Sequence, residues 1–253
     1  MEQKERWDEI WRRKDARRSS RIPAAAGKDI IYRTVVSVLK REIPDAGGKK
    51  ILEPGSGHGL VSLSLAKRGA EVALLDISEP ALILSKACFM MQGIHPETYN
   101  ASIMDMPMDE DTYDFTWNGG VIEHFKEPEQ IRAVSEMLRV TKPGGKVIIM
   151  VPSAEARIYG AAKAYADRLG LWQPGYEAPI STLSGLEGRV PGRLVKEYRI
   201  GLIAELHFLK YYFARVPILR VMWLGLVELL GYIFCPLNLL PGYLLVSVFK
   251  KEG

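Results

Sequence analysis

The chain has 253 residues, 34 Lys and Arg against 30 Asp and Glu, a net charge of +4, 47% hydrophobic residues and 25% charged ones. That length supports one domain with a sizeable core, and the composition excludes a disordered chain, a collagen-like fibre and a multi-span membrane protein. With only Cys88 and Cys235 and no CxxC pair, neither a thiolate zinc site nor a disulfide framework is supported, and the charged residues 1–6 lack the apolar run of a secretory signal. A reducing, cytoplasmic setting is expected.

Trp7, Ile10 and Trp11 fall on one face of a short amphipathic helix. A basic stretch follows, with Arg12, Arg13, Lys14, Arg17, Arg18 and Arg21 opposed only by Asp15. Ile31, Val35, Val38 and Leu39 make a second helix, ended by the Pro-Asp-Ala-Gly-Gly breaker at 44–48. Residues 50–53 read as a strand, 60–67 as a helix, 71–75 as a buried strand ending at Asp76, and 80–91 as a helix. Strands are expected at 98–104 and 113–117, and Pro128 opens a helix with Ile131, Val134, Met137 and Leu138 inside. Pro143-Gly144-Gly145 turns the chain into a strand at 147–151. Residues 153–193 read as helix and loop, 194–200 as a sixth strand, and 242–249 as a last buried strand after a long apolar helical region. The alternation of strand and helix predicts an α/β fold, a mainly parallel sheet covered on both faces.

The sharpest local signal is Glu53-Pro54-Gly55-Ser56-Gly57-His58-Gly59, a strand running into a loop with glycine at every second position and then a helix. Such a loop lets a ligand lie against bare backbone, and the helix N-terminus adds free N–H groups. A dinucleotide site would want a third glycine where Leu60 stands, and Glu53 would sit badly beside a pyrophosphate. An acid there suits a ligand carrying an ammonium group. Asp76, nineteen residues after Gly57, suits the two hydroxyls of a ribose, and Asp105 suits an adenine amino group with Met104 or Met106 against the ring. His58 is expected to contribute only its backbone.

The ordered series Glu53-x-Gly55-x-Gly57-x-Gly59, Asp76, Asp105-Met106, residues 118–125 (Asn-Gly-Gly-Val-Ile-Glu-His-Phe) and Leu138-x-x-x-Lys142-Pro143-Gly144-Gly145 resembles the class I S-adenosylmethionine-dependent methyltransferases across about half the chain. The resemblance implies a Rossmann-like, doubly wound, seven-stranded, mainly parallel sheet with an antiparallel last strand. It divides the chain into a helical N-terminal arm, 1–27, and a methyltransferase domain, 28–253, with a helical cover over about 153–193 and 201–240. It implies S-adenosylmethionine as cofactor and S-adenosylhomocysteine as product, held by Glu53, Gly55, Ser56, Gly57, Asp76, Ile77, Asp105, Met106, Asn118 and Gly119. Arg33 and Tyr32, in the helix before the glycine loop, are candidates to reach the cofactor carboxylate or to close over it. The two tryptophans dock the first helix onto the core, with a lid role as a consequence.

His124 is the candidate for a catalytic proton transfer, against a reading in which it only holds the loop; His207 is the next choice, against a satisfied core histidine. Residues 118–121 lack the Asn/Asp-Pro-Pro-aromatic motif of amino-directed enzymes, and no acidic run resembles the magnesium site of catechol-type enzymes, so no metal is expected. From 221 to 249 the only charged side chain is Glu228, which with Pro236 argues against a membrane span. A cover over the site is the first reading of that segment, beside a dimer face and a surface touching a bilayer. Tyr211, Tyr212, Phe213, Trp223 and Tyr232 suit an apolar pocket or a headgroup boundary. The expected activity is methyl transfer to oxygen or carbon of a small apolar acceptor such as a lipid, quinone or polyketide-like molecule. The alternatives are an RNA or protein methyltransferase using the basic arm and a catalytically silent cofactor binder, with nucleic acid disfavoured and the oligomeric state open.

Overall fold

The computed structural model describes residues 2–18 and 29–252. The rest of the expected arm lies outside the described residues, as do the side chains of the basic stretch beyond Arg13. Seven strands form one sheet: β1 Lys50–Pro54, β2 Glu71–Asp76, β3 Glu97–Asn100, β4 Tyr113–Gly119, β5 Thr141–Pro152, β6 Gly192–Ile200 and β7 Leu244–Lys251, in the order β3-β2-β1-β4-β5-β7-β6. The β1–β2, β1–β4, β2–β3 and β4–β5 pairs are parallel, while β7 runs antiparallel to both β5 and β6. β1, β2 and β7 are apolar runs buried residue after residue because both sheet faces are covered. The strand order reverses between β1 and β4, and the crevice beyond their carboxyl ends is where such sheets bind ligands.

One face carries α1 Glu2–Arg18, α2 Ile30–Glu42, α3 Leu60–Ala66 and α4 Glu79–Met90, whose apolar residues meet in a core with Trp117, Ile148 and Met150. α2 starts cleanly because the Asp29 carboxylate accepts the N–H groups of Ile31 and Tyr32 at 2.8 and 3.1 Å. The other face carries α5 Glu127–Val140, which buries Val134, Met137 and Leu138 against Leu52, Leu75 and Val147. After β5 come α6 Arg157–Arg168 and, beyond β6, α7 Leu202–Glu205 and α8 Pro217–Ile233. Nothing in Ala156 caps α6; Glu205 of α7 does so instead, accepting the N–H groups of Ile158 and Tyr159 at 2.7 and 3.1 Å.

Three expectations change. The strand expected at 98–104 stops at Asn100, because Ser102 takes over the next hydrogen bonds. Its hydroxyl accepts the Met104 N–H and its carbonyl the Asp105 N–H, which turns the chain. The Pro-Gly-Gly segment at 143–145 is an irregularity inside β5, where the pairing jumps from Tyr113–Thr141 to Phe115–Lys146. The apolar segment after 221, read first as a cover over the site, is mostly surface: α8 buries only Val227 and Gly231 fully.

Candidate active site

The carboxyl ends of β1, β2 and β4 open on a cavity of about 490 Å³. Glu53, Gly55, Ser56, Gly57, Asp76 and Ile77 all line it, as the glycine-loop reading requires. Gly55 and Gly57 have φ of +73° and +52°, in the left-handed region. A Cβ on Gly55 would meet Val121 Cγ2 at 2.5 Å, and one on Gly57 would meet Trp11 Cζ2 at the same distance. The loop is bare because its neighbours have already taken the space.

Glu53 is buried, and its Oε2 has no hydrogen-bond partner in the protein. Burial pushes this carboxyl up to about 8, with the nearby Asp76 charge adding to the rise and Ser62 opposing it. Asp76 Oδ2 accepts the Gly57 N–H and Oδ1 the Ser78 N–H, each at 2.8 Å, so the loop and the start of α4 orient the acid. Burial raises Asp76 as well, against the pull of those N–H groups.

α1 forms one wall through Gln3, Trp7 and Trp11. The Trp11 ring packs edge-on against His58 at 5.7 Å, and Trp7 against His124 at 5.3 Å. The opposite end is apolar, built from Ile31 and Val35 of α2, Met150, Pro152 and Tyr243. His124 ends a single helical turn, Ile122–His124, after β4. Its Nδ1 lies 2.7 Å from the Tyr176 carbonyl, which only accepts, so Nδ1 carries the proton and Nε2 keeps a free lone pair. Burial holds this imidazole below the usual histidine range.

Six predicted residues lie elsewhere. Asp105 is exposed and outside the lining, and Met106 is buried in the α5-side core; Ser102, Ile103 and Met104 line that end of the cavity. The Asn118 side chain turns to the opposite sheet face, its Nδ2 donating to Met137 Sδ at 3.5 Å, while Gly119 lines the cavity. Arg33 points to α8, 3.0 Å from Glu228 Oε2 and stacked 3.9 Å above the Tyr232 ring. His207 is buried beside Lys210 Nζ at 2.7 Å and does not line the cavity, nor does Tyr32.

Behind His124 the sequence reading missed an acidic cluster. Tyr159 donates its hydroxyl to Glu177, whose carboxyl burial pushes up to about 7. Glu123 is buried with Oε2 unpartnered, and burial together with the Glu177 charge drives it well above the carboxylate range. The Ala178 N–H donates to the Glu123 carbonyl at 2.9 Å, bringing this loop onto the His124 turn. Nothing local signals Glu177, which arrives through a tertiary contact.

Residues 52–149 match the profile of the methyltransferase domain family. Over this stretch the chain is similar to a methyltransferase domain. The demethylmenaquinone methyltransferase of Clavibacter sepedonicus is 30% identical over 125 residues, covering 49% of this chain and 49% of that protein. The ubiquinone biosynthesis O-methyltransferase of Pseudomonas fluorescens is 28% identical over 116 residues, covering 44% of this chain and 48% of that protein. The chain thus spans about half the length of these curated relatives. A Galdieria sulphuraria structure, described provisionally as a sarcosine dimethylglycine methyltransferase, superposes with a TM-score of 0.58 at 16% identity over 86% of this chain and 84% of that one, a likeness of fold.

The cavity fits S-adenosylmethionine, the methyl donor of this family. The residues that would hold it are Glu53, whose orphaned oxygen suits an ammonium group, the bare backbone at 55–57, Asp76, whose carboxylate suits two hydroxyls, and the 102–104 turn.

Proposed function

We propose that this methyltransferase domain transfers the methyl group of S-adenosylmethionine to an oxygen or carbon of a small, apolar, quinone-like acceptor, leaving S-adenosylhomocysteine. The observation that carries the reading is the division of one cavity into two chemistries. A buried acidic end is built from Glu53 and Asp76, and an apolar end is built from Ile31, Val35, Met150 and Tyr243, with His124 also lining the cavity. Two relatives, each aligned over just under half of the chain, carry quinone names, which supports that acceptor class.

Bound in the acidic end, S-adenosylmethionine supplies a methyl group already activated on a sulfonium. The protein holds the acceptor in line with that methyl and keeps water away, which the apolar walls and the α1 tryptophans do. For a hydroxyl acceptor, His124 Nε2 would take the proton; burial disfavours its cation, which keeps the imidazole in the neutral, proton-accepting form while making it a weaker base. Within the arm of 1–27, α1 serves the domain of 28–253 as its lid, since Trp7 and Trp11 both wall the cavity. An acceptor of this class partitions into bilayers, so the protein is placed on the cytoplasmic side of a membrane when it takes acceptor up.

The test uses methyl-labelled S-adenosylmethionine with cell extract, counting organic-soluble, small polar, RNA and protein fractions separately. Enzyme-dependent label in the organic fraction supports the reading. Label in RNA or protein overturns it, and cofactor binding with no label in any fraction, after adding a demethylated quinol, makes the chain a silent binder.

A further inference from the structure

α1 meets the His124 turn through two neighbouring residues. Trp7 lies against the imidazole with ring centroids 5.3 Å apart and planes 81° apart, an edge-to-face contact. The residue before it, Arg6, reaches the loop that supplies the other partner of His124. A Cβ on Gly175 would fall 2.7 Å from Arg6 Cζ, so the guanidinium fills the space that a side chain at 175 would take. Gly175 has φ of +81°, and the next residue, Tyr176, offers the carbonyl that lies 2.7 Å from His124 Nδ1.

From 171 to 179 the chain forms neither helix nor strand, so contacts with neighbouring elements place the Tyr176 carbonyl. Beyond Tyr176 these are the Tyr159 hydroxyl on Glu177 and the Ala178 N–H on the Glu123 carbonyl at 2.9 Å. Before it, the contact is Arg6 on Gly175. The same helix is tied to the cofactor end. Trp11, one turn beyond Trp7 on the same face, fills the space over Gly57, and Asp8 and Ile10 between them are buried. A helix seated on the glycine loop at one turn therefore presents Arg6 and Trp7 to the His124 turn at the other.

We propose that Arg6 and Trp7 are positioning residues for His124, Arg6 placing the Tyr176 carbonyl that holds Nδ1 and Trp7 fixing the plane of the ring. The imidazole is oriented only while α1 sits over the glycine loop, so the lid completes the site as well as closing it. The inference rests on the proposed function for the purpose of that orientation, but the state of the imidazole is read with no acceptor present. The other charged or titratable groups around the ring are Lys163 of α6, whose charge disfavours the imidazolium, Glu123 in the same turn and Glu177 behind it. All three stay in place in the variants below.

The experiment is heteronuclear NMR of the imidazoles in the full chain with S-adenosylhomocysteine bound, the His124 signals being assigned by their loss in His124→Gln. Wild type is expected to show one His124 tautomer, with the proton on Nδ1, titrating below the ordinary histidine range. Trp7→Ala should move that titration toward the ordinary range as water reaches the ring, and Trp7→Phe should recover most of the shift. Arg6→Ala, which alters no residue lining the cavity, should mix the two tautomers. Its S-adenosylhomocysteine affinity should stay within about twofold of wild type, which also shows that it is folded. Wild-type tautomer and titration in both Trp7→Ala and Arg6→Ala overturn the inference, whatever the rates. So does a Trp7→Ala shift that Trp7→Phe leaves unchanged, since ring packing is then not its cause. With a hydroxyl acceptor, Arg6→Ala should lower kcat about tenfold at unchanged KM for the cofactor. An imidazole disturbed in both variants with kcat intact keeps the positioning and removes His124 as the base, a failure of the proposed chemistry alone.

Discussion

Trp11 covers Gly57 so closely that a single Cβ on the glycine would come within 2.5 Å of the indole, while the Gly57 N–H donates to Asp76. One residue thus joins the lid helix, the glycine loop and the acid assigned to the ribose. Gly57→Ala is expected to weaken S-adenosylhomocysteine binding by tenfold or more, through both the left-handed backbone and the displaced ring. Calorimetric titration of Gly57→Ala, Trp11→Ala and the double variant separates the two causes. If the ring clash dominates, the double variant binds better than Gly57→Ala alone. Equal affinity of Gly57→Ala and wild type refutes the close seating.

Glu53 gives a pH dependence of definite sign. Its carboxyl in the folded protein titrates near 8 against an ordinary value of 4.5, so between those values the folded chain binds more protons than the unfolded one. Stability from this group is therefore present at low pH and lost as pH rises through that window, by on the order of 2–4 kcal/mol. Glu53→Gln should flatten the fall. Denaturant unfolding of the cofactor-free protein at pH 5 and pH 8 reads the difference, and parallel curves for the two proteins contradict it. The same variant should lose cofactor affinity at pH 8, where the wild-type carboxylate is available to the ammonium group.

Much of this site was legible before the fold was known, because the informative residues are local. A strand, three spaced glycines and an acid at each end of the loop form one continuous device at 53–76, and backbone hydrogen bonding holds it together. Two misassignments were also avoidable from periodicity. Ile31 and Val35 line the cavity four residues apart on one helical face, which puts Arg33 on another. Trp117 and Gly119 face the cavity, so strand alternation sends Asn118 the other way. Asp105 failed for a different reason: the turn at Ser102 ends β3 early and moves the lining to 102–104, and no repeat of the pattern reveals where a strand stops. Glu177 has no local signature because its role depends on the Tyr159 hydroxyl and the Glu123 turn.

Arg33 then carries a structural prediction. With its guanidinium on Glu228 and over Tyr232, Arg33→Ala should leave S-adenosylhomocysteine affinity within about twofold of wild type while costing about 1–2 kcal/mol of stability. Thermal unfolding and titration on the same sample check both. A large loss of cofactor affinity without loss of stability returns Arg33 to the cofactor carboxylate.

His124 lines the cavity and Glu177 sits behind it on the Tyr159 hydroxyl, and a pH–rate profile distinguishes which of the two governs removal of the acceptor's proton. The Tyr176 carbonyl keeps the His124 proton on Nδ1, and burial lowers the imidazole's proton affinity, so its basic form persists below the ordinary histidine range. If His124 is the base, kcat/KM for a hydroxyl acceptor stays level through neutrality and falls only on the acid side of that range. His124→Gln should then lower kcat by roughly 10²–10⁴ and remove the limb, with cofactor affinity preserved. Glu177 instead titrates near 7, held there by burial. A limb near neutrality that survives His124→Gln and disappears in Glu177→Gln assigns the proton to the acid and leaves the imidazole to position the Tyr176 loop. His124→Gln with both rate and limb intact removes the histidine from the chemistry altogether.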